Sequence, residues 1–193
     1  MARPREFNTE LVVDKATNLF WKLGYNGTSI QALVDHLALK RGSIYAAFGS
    51  KQSLFQLCLN RYIQEQQTKE SQILERQLPA IEKINFLLNN AIEDAKYDWE
   101  KKGCFLVNTS LESLSNKECA SLVNHRTSQL FQIFKSLVKR GISEGDINPD
   151  LNVDTTATVI LNNLQGMRVI ARAGDSQSLL SASAEGIKQL IKR

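Results

Sequence analysis

The sequence predicts an all-α protein of about nine helices. Apolar residues recur at helical spacing along most of the chain, and no segment alternates as a strand does. Only three prolines interrupt it, at positions 4, 79 and 149. Its 193 residues allow one or two small domains with a real hydrophobic core. Three short helices come first and longer ones with thick apolar faces follow. That grouping divides the chain into a helix-turn-helix domain over residues 1–50 and a second helical domain over residues 51–193.

After a basic arm carrying Arg3 and Arg5, Asn8 or Thr9 caps a first helix with Val12, Ala16, Leu19, Phe20 and Leu23 on its apolar face. Gly24 ends it, and Asn26-Gly27 reads as an inter-helix loop because no strands flank it. Thr28 opens the second helix with Gln31 in the capping-box relation, and Ile30, Leu33, Val34 and Leu37 form its buried stripe. A turn through Ala38 leads to a third helix over 41–47, with Ile44 and Phe48 facing the core. Ser50 caps a long fourth helix through Leu54, Cys58 and Tyr62 towards Leu74.

Pro79 suits the first turn of a fifth helix, whose face is Ile81, Ile84, Leu88, Ala91 or Ile92, and Ala95. Gly103 breaks the chain before a short helix from Cys104 to about Leu114. Ser115 or Asn116 caps the next, with Val123, Leu130, Phe134, Leu137 and Val138 inward and Gly141 near its end. Asp150 or Asn152 starts a helix through Ile160, Leu164, Met167 and Ala171 to Gly174, and Ser176 starts the last.

Charge is uneven. The net charge is +4, of which residues 1–60 carry +3. From His36 to Gln64 there is no acid, while Lys40, Arg41, Lys51 and Arg61 are basic. A cationic, anion-free helix after a tight turn suits a phosphate-lined groove. A helix-turn-helix needs a packing set, small or polar groups at base edges, and phosphate grips that fix the register. Leu33, Leu37, Leu39, Ile44 and Phe48 are the packing set. Lys40, Arg41, Ser43 and Ala46 point outward by spacing, and Gly42 permits close approach. Arg41 stands equally well as a base reader or a phosphate contact. Thr28 and Ser29 at one helix N-terminus and Lys51 at another are expected to hold phosphates, with the Tyr45 phenol reaching a third.

The order Phe20, Gly24-Tyr25, Thr28, Ile30, Leu33, Gly42-Ser43-Ile44-Tyr45, Phe48, Lys51 and Leu54-Phe55 closely resembles the signature of the TetR family of transcriptional regulators, over about residues 7–56. Many members carry Ala at the place of Val34, Gly at that of Ala38, and Ser or Thr at that of Lys40. Lys40 forgoes an N-cap that contributes about 1 kcal/mol and adds a cation instead.

The resemblance implies a homodimer on a palindromic operator and a C-terminal domain that binds a small apolar or amphipathic effector. Tyr62, Phe86, Cys104, Phe105, Asn108, Phe131, Phe134, Leu164 and Met167 are its expected lining, since ligand sites are apolar with a few placed polar groups. The dimer is expected through the last two helices, using Thr155, Thr158, Leu161, Asn162, Gly166, Ala184 and Ile187. Cys104 follows Lys101, Lys102 and Gly103 at a helix start, a setting that favours thiolate.

Cys58, Cys104 and Cys119 are too scattered for a disulfide framework or zinc site, and the N-terminus does not read as a signal peptide. No run approaches the ~18 apolar residues of a membrane span, so a cytoplasmic setting is expected. His36 and His125 stand alone, and Asp94, Glu112 and Glu118 read as solvated. No phosphate loop, metalloprotease pair or nucleophile elbow occurs, so neither an enzyme nor a cofactor is expected. The remaining rival to a sequence-specific regulator is a non-specific or architectural DNA-binding protein.

Overall fold

A computed structural model describes residues 7–98, 100–112, 117–174 and 177–193. The expectations for Arg3, Arg5, Leu114, Ser115, Asn116 and Ser176 lie outside them. The described residues form nine helices: α1 (Thr9–Gly27), α2 (Ile30–Leu37), α3 (Arg41–Phe48), α4 (Lys51–Leu74), α5 (Ala80–Tyr97), α6 (Phe105–Leu111), α7 (Lys117–Glu144), α8 (Val153–Ala173) and α9 (Gln177–Ile191). Among them, no helix is long and apolar enough to cross a membrane.

Several starts follow from caps visible in the sequence. Asn8 accepts from the amides of Glu10 and Leu11, Ser50 from Ser53, and Asn152 from Thr155. Two boundaries and one capping contact differ from expectation. The first helix does not end at Gly24 but kinks there, at φ 75° and ψ 172°, and runs on to Gly27. Ser29, not Thr28, heads α2 and accepts from the Ala32 amide at 3.0 Å. Gln31 does not close a capping box, because its amide donates to Asp35 one turn on, at 2.9 Å.

Two apolar clusters organise the chain. The first joins α1–α4 to α6 and the start of α7 through Phe20, Leu33, Ile44, Leu54, Phe55, Phe105 and Val123. Phe55 stacks edge-on with Phe20, Tyr25 and Phe105 at 5.1, 5.0 and 5.4 Å, so the N-terminal helices share an aromatic core with α6. The second gathers α5, α7, α8 and α9 around Ile84, Leu88, Phe134, Ile160 and Met167. Helix α4 belongs to both, since Leu54 to Ile63 pack in the first and Ile73 in the second. Gly141 lies inside α7 because a Cβ there would stand 2.5 Å from Ile147.

Ala38 ends α2 in the left-handed region, at φ 53° and ψ 37°. An L side chain is strained there and glycine is not. Ala38→Gly is therefore expected to stabilise the protein by about 0.5–1 kcal/mol net of unfolded-state entropy. A melt reads that as a rise of roughly 1–4 °C; an unchanged or lower midpoint would contradict the strain.

Candidate nucleic-acid interface and regulatory cavity

Helix α3 is eight residues long and held from behind. Ile44 and Phe48 are buried, which turns Arg41, Gly42, Tyr45 and Ala46 outward, with Ser43 half-buried beside them. Lys40 occupies the N-cap without a side-chain cap bond and is exposed. A Cβ at Gly42 would meet nothing within 4 Å, so the backbone there is open to a close partner. The face carries two cations, a phenol and a hydroxyl with no acid on the helix, a surface suited to a polyanion.

Two expected phosphate grips are placed differently. Thr28 is fully buried, and its hydroxyl donates to the Gly24 carbonyl at 2.6 Å. It closes the kink of α1 rather than facing a phosphate, a correction caused by two adjacent hydroxyls of which only Ser29 takes the exposed cap. The Lys51 ammonium donates to the carbonyls of Tyr25 and Thr28 at 2.7 and 2.8 Å and lies 4.1 Å from the Tyr25 ring centre. Burial lowers its pKa, partly opposed by Glu112. Two of its three hydrogens are committed, leaving one for an outside acceptor.

Glu112, expected to be solvated, reaches the other side of the same turn. Its carboxylate accepts from the Tyr25 amide at 2.9 Å and the Asn26 amide at 3.0 Å. The kink at Gly24 frees those amides from the helical ladder. Residues 25–28, the last turn of α1 and its cap, are thus held by α4 through Lys51 and by the end of α6 through Glu112.

At the other end of α6 lies a cavity of about 230 Å³. Trp21 of α1, Tyr62 of α4, Asp94 of α5, Asp98, Cys104 and Arg168 of α8 are on its wall. Of the expected lining, Tyr62 and Cys104 are there. Phe105 lies just behind, against Trp21 and Tyr62, and Asn108 donates to the Lys102 carbonyl. Phe134 and Leu164 flank a narrower crevice shared with Arg168. Phe131 and Met167 pack in the second core. Phe86 does not belong to the site: it is exposed under the Arg76 guanidinium, because it sits off the 84-88-91 face of α5.

The Tyr62 hydroxyl donates to the Cys104 sulfur at 3.3 Å, and burial pushes the phenol pKa well up, so it stays a donor. The lysines expected to activate Cys104 are engaged elsewhere. Lys102 lies 4.7 Å from the Trp21 ring and pairs with Glu100, and Lys101 lies against Gly174. Burial raises the Cys58 thiol to about 12.

On α8, Thr155, Thr158, Asn162 and Gly166 are exposed beside Val159 and Val169, next to exposed Leu179 and Leu190 of α9. Leu161, Ala184 and Ile187 are instead buried in the protomer's own core, which corrects their assignment to a dimer face.

A family model described as bacterial regulatory proteins, tetR family, matches residues 12–58, and a tetracyclin repressor-like C-terminal domain model matches residues 80–186. The HTH-type transcriptional repressor ComR of Escherichia coli (strain K12) is 31% identical over 188 residues, spanning 90% of this chain and 84% of ComR. The uncharacterized HTH-type transcriptional regulator YezE of Bacillus subtilis (strain 168) is 26% identical, spanning 89% of this chain and 90% of YezE. A solved structure of a cysteine mutant of the TetR family regulator CifR, complexed with a 26 bp operator DNA, superposes with a TM-score of 0.87 at 27% identity. That match covers 98% of this chain and 100% of the other.

Proposed function

The chain belongs to the TetR family of bacterial transcriptional regulators, and from that premise we propose that it is a cytoplasmic, ligand-responsive repressor acting as a homodimer on a palindromic operator. Residues 1–50 read DNA, and residues 51–193 bind the effector and dimerise. The observation that carries the reading is the exposed, acid-free face of α3, with Lys40, Arg41, Gly42, Ser43 and Tyr45 presented together. Ser29 and the last free hydrogen of Lys51 add phosphate contacts beside it.

The exposed small and apolar face of α8 and α9 suits a two-fold helix bundle between protomers. Two-fold symmetry then places two copies of α3 about one helical turn of DNA apart. The effector acts by preferring the spacing that does not fit the operator. Helix α6 is the element that carries this preference, since it starts at the cavity wall and ends in the Glu112 grip on α1.

The test is competition binding on an operator selected from a random duplex pool. A sequence-specific regulator separates the selected duplex from random DNA by orders of magnitude at one salt concentration; near-equal binding would favour the architectural rival. Within that assay Arg41→Ala is expected to cost about 1–3 kcal/mol on the selected site if it reads guanine. An equal loss on random DNA would reassign Arg41 to a phosphate.

A further inference from the structure

We infer that the regulatory cavity takes a small monocarboxylate whose anion pairs with Arg168, an inference that rests on the ligand-responsive reading above. Arg168 borders the 230 Å³ cavity and two narrower crevices beside it. Its guanidinium has one long hydrogen bond, to Gln165 at 3.4 Å, and no carboxylate in ion-pair range among the described residues. Both acids that influence it are committed elsewhere. Glu70 pairs with Arg126, and Asp94 pairs with Lys69 at 3.3 Å. Their fields favour the cation from a distance, but neither meets the guanidinium fork, and a ligand carboxylate supplies that direct contact.

The cavity limits what the anion can be. Its volume is that of about eight water molecules, which admits a short chain or a single ring. Trp21 and the alanines at 91, 95 and 171 supply an apolar wall for that body. Glu93, Asp94 and Asp98 on the same wall offset Lys69 and Lys102, so the charge left for a ligand is about that of Arg168 alone, which a monoanion matches better than a phosphate dianion. A carboxylate matches the planar guanidinium fork with one charge and two parallel hydrogen bonds.

Calorimetry on the whole protein with benzoate and its neutral isostere benzamide tests the inference. Benzoate is expected to bind roughly tenfold or more tightly than benzamide, the margin of one charge-assisted contact. In Arg168→Met that ratio is expected to fall to about one, and Arg168→Lys to restore part of it. Labelled operator DNA, followed in the same samples, shows whether each variant is folded. Equal binding of the two probes, binding of neither, or a preference that survives Arg168→Met would overturn the anion site. Benzoate that binds with the expected preference yet leaves operator binding unchanged upholds the anion site and overturns the ligand-responsive reading instead.

Discussion

Glu70→Gln is expected to destabilise the protein by about 3–5 kcal/mol, and Arg126→Met by a similar amount, because each single change strands a buried charge or its polar remnant. The two residues are 6% and 3% exposed and form an ion pair between α4 and α7. Arg126 also donates to Gln129 at 3.5 Å, and Gln129 in turn accepts from Gln67 at 3.0 Å, so the pair is the inner end of a polar strip. Replacing both partners with apolar groups of similar size, Glu70→Leu with Arg126→Met, removes desolvation and attraction together. That double variant is expected to lie near the wild type or above it in urea unfolding. Single losses below 1 kcal/mol would mean that water reaches the pair. A double variant as weak as the summed losses of Glu70→Leu and Arg126→Met alone would mean that the two side chains do not interact.

The pair also bears on the proposed anion site. Glu70 is one of two carboxylates whose fields support the Arg168 cation against burial. Under the proposed anion site, pairing with Arg126 is expected to keep Glu70 from competing for Arg168.

Helix number, order and most caps were legible in the sequence because they are local. Asn8, Ser50 and Asn152 stand immediately before the apolar periodicity they start, and capping needs no distant partner. The exposed face of α3 was legible for the same reason, since Ile44 and Phe48 are four apart and fix which way Arg41 and Tyr45 point. The errors concern groups whose role is set elsewhere in the chain. Glu112 stands more than eighty residues from the amides it holds, and nothing around it announces them. Thr28 and Ser29 are equivalent as caps on paper, and only burial separates them. Arg168 reads as an ordinary helical arginine, although its spacing from Leu164 and Ala171 already placed it on the inward side. Phe86 shows the reverse: aromatic identity suggested a pocket, while its position two residues from both Ile84 and Leu88 put it on the outer face.

Glu112→Ala is expected to cost about 2–3 kcal/mol of stability and to weaken operator binding well beyond that of a surface change. The carboxylate makes two charge-assisted bonds to backbone amides, each contributing about 1.5 kcal/mol where solvent is partly present. Without it, the amide side of the α1 turn loses its anchor, while Lys51 still holds the carbonyl side. Helix α2 begins one residue after that turn, at the Ser29 cap, so its freedom passes directly to the α2–α3 pair. Gly24→Ala reaches the same contact from the other direction. Its Cβ would stand 2.2 Å from Glu112 Oε1, in a backbone region that only glycine adopts readily. Both single variants therefore lose the same two hydrogen bonds, and the double variant is expected to be more stable than their summed losses imply, by at least about 1 kcal/mol. Strict additivity in denaturant unfolding would show that the grip is not shared. The regulatory role separates from the structural one in the DNA assay. If α6 transmits the effector signal, Glu112→Ala still binds ligand but its residual operator affinity no longer responds to it. A variant that keeps the full response would leave α6 as a packing element, with the signal carried through the shared aromatic core around Phe55 and Phe105.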